Sequence, residues 1–149
     1  MHHYTSCGLE NVWLQNGFQE KQTAYGKAVA VADADALHET LAVWLTKKAG
    51  RLTGKEFRFL RTLMCLSQSS LGKMMGASEQ AVSLWERTGK VPKASDALMR
   101  MIILERLCGD GKVSDVINRI NAVERLVNQR IIAHARKHEW TARVSAPGL

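Results

Sequence analysis

Apolar residues recur along this chain in two rhythms. From residue 33 to 107 they fall three or four apart, the spacing of one helix face, whereas residues 3–32 mix aromatic and β-branched residues with glycine turns. In that first part NVWL, Gln15-Asn16-Gly17-Phe18, Ala24-Tyr25-Gly26 and KAVAVA predict short strands near 10–15 and 25–31, pairing as an antiparallel ribbon. A helix is expected after Asp33 or Asp35 as cap, with Leu37, Leu41, Trp44 and Leu45 inward, Lys47 and Lys48 toward its carboxyl end, and Gly50 as stop.

Thr53 and Glu56 stand at capping-box spacing, in which each side chain satisfies an amide at the helix start. Phe57, Leu60, Leu63 and Met64 follow inward, leaving Arg58 and Arg61 outside. Ser67 caps a short helix with Leu71, Met74 and Met75 inward, and Gly76 ends it. Ser78 caps the next, with Ala81, Val82 and Trp85 inward; Gly89 and Pro92 close it. Ser95 is expected to cap a further helix carrying Leu98, Ile102 and Leu107. Past a break at Cys108-Gly-Asp-Gly111, Val116, Ile120, Val123, Val127 and Ile131 predict one long helix from Ser114 toward Trp140. The fold class expected is therefore mainly α, with a short N-terminal β-ribbon and helix (1–50), a helix-turn-helix domain (51–108) and a long C-terminal helix for dimerisation or packing, then a tail (109–149).

Two helices joined by a short turn containing glycine describe the helix-turn-helix unit, whose second helix lies in the major groove of DNA. Its geometry needs a tight turn, apolar inward positions and short polar side chains at the start of the second helix. Ser78, Glu79, Gln80 and Ser83 meet the last requirement. A Gln80 amide can both donate to and accept from adenine. Glu79 can accept from a cytosine amine or stabilise the helix start as an anion.

Leu66-Ser67-Gln68, Leu71-Gly72, Met75-Gly76-Ala77-Ser78, Val82-Ser83-Leu84-Trp85-Glu86 and Gly89-Lys90-Val91-Pro92 together resemble the Cro/lambda-repressor (XRE-type) class, over residues 53–107. The resemblance implies a compact, lambda-repressor-like helical domain that binds operator DNA as a two-fold dimer. On it Gln68 matches a position that often contacts phosphate, and Ser78, Glu79, Gln80 and Ser83 match the base-reading face. Lys73, Arg87 and Lys90, beside that helix, are expected to neutralise phosphates. Arg87-Thr88 make the loop before Gly89 one residue longer than the family pattern. Trp85 and Glu86 are read as structural: the tryptophan packs the helix and the carboxylate ties the domain together.

Charge agrees with a polyanionic partner. The formal net charge is +7, and the excess begins past residue 50: residues 1–50 hold four Lys/Arg against five Asp/Glu, residues 51–109 ten against five and residues 110–149 seven against four. Cys7, Cys65 and Cys108 form no CxxC; Cys65 and Cys108 are expected as buried thiols in apolar helices. Cys7 with His2 and His3 has no second cluster at finger spacing, and His134 and His138, four apart on the expected helix beside Glu139, are read as a chance pair on a polar face, so no metal, cofactor or catalytic residue is expected. GxSxG, GxxxxGK[ST], HExxH and GxGxxG are all lacking, and an enzyme is not expected. With no charged start before an apolar run and no stretch of 18 apolar residues, a cytoplasmic protein without membrane contact is expected. The partners expected are double-stranded DNA at a palindromic operator and a second copy of the chain, in a transcriptional regulator acting as a repressor. The alternative is an antitoxin that binds a toxin protein and its own promoter.

Overall fold

Five helices and six strands make up the described residues, 1–109 and 131–144, of the computed structural model. In chain order they are β1 (His2–Tyr4), β2 (Val12–Leu14), β3 (Phe18–Thr23), β4 (Gly26–Val31), α1 (Ala34–Thr46), α2 (Gly54–Leu63), α3 (Gln68–Met75), α4 (Glu79–Thr88), α5 (Lys93–Cys108), β5 (Ile131–Arg136) and β6 (Glu139–Val144).

The strands correct the expected fold class: among the described residues they form three separate two-stranded antiparallel sheets, not one N-terminal ribbon on a mainly helical chain. β1 pairs with β2, His2 opposite Leu14, and β3 pairs with β4, Phe18 opposite Val31. The strands expected near 10–15 and 25–31 thus pair with their own neighbours and not with each other. Ala24-Tyr25 closes β3 onto β4 over two residues, and so short a closure brings little entropic cost.

The second correction concerns the long C-terminal helix. Its first part, from Ser114 to residue 130, lies outside the described residues, but Ile131 to Trp140 is not helical. β5 and β6 form a hairpin with Ala135 opposite Trp140 and Lys137-His138 as the turn, Lys137 at φ 57°. Ile131 fits both periodicities, four after Val127 and two before Ala133. Beyond it alternation wins, with Ile131, Ala133 and Ala135 on one face and the β-formers Trp140 and Thr141 on the paired strand. His134 and His138, four apart on the expected helix, are here a strand residue and a turn residue.

Helix starts follow the polar caps closely. Asp33 accepts from the Ala36 amide (3.2 Å). Thr53 and Glu56 close the reciprocal box at 3.1 and 2.8 Å, and Lys48 adds an ion pair to Glu56 at 2.6 Å. α5 departs: its cap is Pro92, with φ already at −58°, and Ser95 is buried one turn inside. In α1, Ala42 and Leu45 are buried while Trp44, expected inward, is 59% exposed. It lies one residue, about 100°, round from Leu45, away from Ala42.

Phe57, Leu60, Leu71, Val82, Val91, Met99, Ile102 and Ile103 form one core with Ala42 and Leu45 of α1 and Leu9 of the β1–β2 loop. The buried Asp96 of α5 accepts from the Leu52 amide (2.7 Å) and pairs with Arg100 (2.8 Å), which also donates to the Lys48 carbonyl, pinning the α1–α2 connection onto α5. Cys65 and Cys108, expected inside, are exposed. Cys65 follows α2 in a left-handed conformation (φ 57°) and Cys108 is the last residue of α5, so neither remains on a buried face. Among the described residues no helix is long and apolar enough to cross a membrane.

Candidate nucleic-acid interface

α3 and α4 meet through a three-residue turn, Gly76-Ala77-Ser78. The Ser67 hydroxyl accepts from the Ser70 amide (3.0 Å) at the start of α3, and Gly76 ends it in the left-handed region (φ 66°, ψ 32°). The Ala77 amide donates back to the Gly72 carbonyl (2.8 Å), and the Ser78 hydroxyl accepts from the Ala81 amide (3.1 Å) to start α4. The elbow is close-packed. A Cβ at Gly72 would stand 2.6 Å from the Ala77 carbonyl oxygen, and one at Gly54, in α2, 2.2 Å from that of Glu86 in α4. Only glycine allows backbones to approach so nearly.

A polar clamp fixes the three helices. Arg61 of α2 donates through Nε and Nη2 to both carboxylate oxygens of Glu86 at 2.8 and 3.0 Å, and through Nη1 to the Leu66 carbonyl at 2.8 Å. Both partners are largely buried, and this forked geometry holds orientation as well as charge. Gln68 adds its amide nitrogen to Glu86 Oε1 at 3.2 Å. On the apolar side Trp85 meets Phe57 edge-to-face, centroids 6.0 Å apart. Trp85 and Glu86 therefore hold α4 in place, as their sequence context suggests.

With Val82 buried, a rotation of about 100° per residue turns Gln80, Leu84 and Arg87 to the opposite side of α4, and all three are exposed. Glu79 and Ser83 point to one flank instead. They line an open hollow of about 640 Å³ together with Ser67 and Gln68 from the start of α3, Glu86 and Arg87, and Lys55, Arg58 and Arg61 from α2. Of the residues expected to touch DNA, the hollow gathers Gln68, Glu79, Ser83 and Arg87. Ser78 and Gln80 are exposed outside it at the start of α4, Lys73 is exposed at the end of α3, and Lys90 is exposed past Gly89.

Gln68 already gives one of its amide hydrogens to Glu86, leaving one for another acceptor. Arg61 is committed to Glu86, and Lys55 is paired with Glu10. Among the described residues Arg58 and Arg87 hold no ion-pair partner, so the hollow keeps two uncommitted cations against one carboxylate, Glu79. The sequence reading missed Lys55 and Arg58 as part of this surface. Their signal is spacing: Lys55, Arg58 and Arg61 recur every three residues, one stripe along α2. It also missed Leu84, which stands 49% exposed beside Gln80.

Comparison with protein-family models, with curated proteins and with solved structures found no match to this chain.

Proposed function

We propose that this protein binds double-stranded DNA in a sequence-dependent way, with α4 entering the major groove as a recognition helix of a Cro/lambda-repressor-type regulator. The observation that carries the reading is the division of α4. Trp85 and Glu86 lock one side to α2 and α3, while Gln80, Leu84 and Arg87 are exposed on the other. A helix held so firmly and left with an uncommitted amide and an apolar side chain facing outward is suited to reading base edges. Gln80 pairs with adenine through two hydrogen bonds, and Leu84 meets a thymine methyl. Arg58 and Arg87 on the flank, with Lys73 and Lys90 at the helix ends, contact phosphates and set the register.

The test is selection of bound sequences from a random duplex pool, followed by titration of the selected site. Gln80→Ala costs about 1–3 kcal/mol on that site and relaxes preference at one base pair. Lys90→Ala weakens binding to every duplex alike and lowers the salt slope by about one unit. Equal affinity of the parent and both variants for selected and random duplexes would sink the reading.

A further inference from the structure

The two longer hairpins use their charge differently. In β3–β4 Lys27 is committed to Glu20 at 2.7 Å, which leaves Lys21 as that ribbon's one uncommitted charge. In β5–β6 Arg136, Lys137 and Arg143 are all exposed, and among the described residues none of them holds an ion-pair partner, although Glu139 stands opposite Arg136 in the register. Alternation sorts the rest. His134, Arg136, Thr141 and Arg143 share one face with Glu139, while Ala133, Ala135, Trp140 and Ala142 lie on the other. Lys137 is at the turn, with His138 beside it.

A two-stranded ribbon is one of the two elements that the major groove of DNA admits, and the groove is about 12 Å wide. Arg143 lies opposite Ile132, and Arg136 is four residues further along the ribbon. At about 3.3 Å per residue the two arginines start roughly 13 Å apart on the same face. A ribbon laid across the groove therefore brings one arginine to each phosphate wall, with Lys137 beyond Arg136 at the tip. The hairpin is joined to the helical body through residues 110–130, so a duplex already held by α4 is met within the same complex, where even a weak contact adds to affinity.

We infer that the C-terminal hairpin is a second DNA-contacting element, a phosphate clamp in which Arg136, Lys137 and Arg143 grip the backbone beside the stretch that α4 occupies; this rests on duplex DNA being the partner of α4. The hairpin adds affinity and leaves the choice of bases to α4, because phosphate contacts carry no sequence information of their own. An anionic lipid surface suits the hairpin less. Sinking the apolar face into lipid turns the arginines of the opposite face toward water, and Ala133, Ala135 and Ala142 offer little surface to bury.

The test titrates the full chain against a mixed-sequence duplex between about 50 and 200 mM salt. Replacing all three cations (Arg136→Gln, Lys137→Gln and Arg143→Gln together) weakens binding at least about ten-fold at the low-salt end and reduces the slope of log K against log salt by about two to three units. The sequences this variant selects from a random pool match those of the parent. Two controls keep the parent's slope: Lys21→Gln with Lys27→Gln in β3–β4, and Trp140→Ser on the hairpin's other face. A parent that selects sequences, with a triple variant that binds as tightly, overturns the clamp alone. A parent without base preference whose binding still depends on the three cations overturns the role of α4 and supports the clamp. A parent that binds no duplex overturns both. The clamp also falls if Trp140→Ser weakens binding as much as the triple variant. So it does if the three cations govern retention on phosphatidylserine vesicles and not on DNA.

Discussion

The helical body and the β3–β4 and β5–β6 hairpins spend their apolar residues in opposite ways. From α1 to α5 the inward positions find partners within the same stretch of chain: Phe57, Leu60, Leu71, Val82, Met99 and Ile102 are closed to solvent. In the β3–β4 and β5–β6 hairpins Tyr25, Ile131 and Trp140 stay open to solvent. A helix of three turns can bury its stripe against neighbours one short loop away, while a two-stranded ribbon has two faces and covers neither by itself. The body therefore stores the stability, and these two hairpins supply surfaces.

The sharpest way to break this contrast is truncation in each region. Phe57→Ala lowers the unfolding free energy by about 3–5 kcal/mol, read by chemical denaturation, because the ring is fully enclosed. Tyr25→Ala, at the tip of the β3–β4 hairpin, stays within about 0.5 kcal/mol. Equal losses at the two sites would erase the distinction.

A smaller effect tests whether the body's polar clamp belongs with its core. Arg61→Ala leaves the nearly buried Glu86 with only the Gln68 amide, and costs about 3 kcal/mol. Arg61→Met with Glu86→Leu recovers most of that loss, since no buried charge is then left unpaired.

The smallest effect is electrostatic and belongs to a hairpin. A hydrogen bond from Lys27 holds the Glu20 carboxyl below the usual carboxylate range, with its charge and desolvation acting as smaller, opposed influences. A lowered folded-state pKa means the contribution is present above the ordinary carboxylate pKa and fades as pH falls through the folded value. Lys27→Met moves the Glu20 titration, followed by NMR, back up, and global stability at neutral pH barely responds because the pair is exposed.

Where the chain announces its structure through local chemistry, the sequence is legible. Thr53 with Glu56, Ser67, Gly76 and Ser78 mark helix ends whose orphan amides and carbonyls need those side chains or that backbone freedom, and the folded chain has them there. Where the decision is non-local, the reading fails. Nothing near Val12 says that its partner strand is β1, and Ile131 suits a helix as well as a strand until the residues after it are weighed. Pro92 displaced Ser95 as cap because a fixed φ competes with a hydroxyl, and sequence rank alone does not say which prevails. At the candidate interface the outward setting of Glu79 and Gln80 followed from helical period, whereas Ser83, expected outside with them, is half-buried. The pairing of Gln68 with Glu86, the commitment of Arg61 and the approach of Lys55 and Arg58 depend on how three helices cross.

Gly72 carries a further lesson. Because its bare Cα rests against the Ala77 carbonyl, any side chain at this position would pry α3 away from the turn that leads into α4.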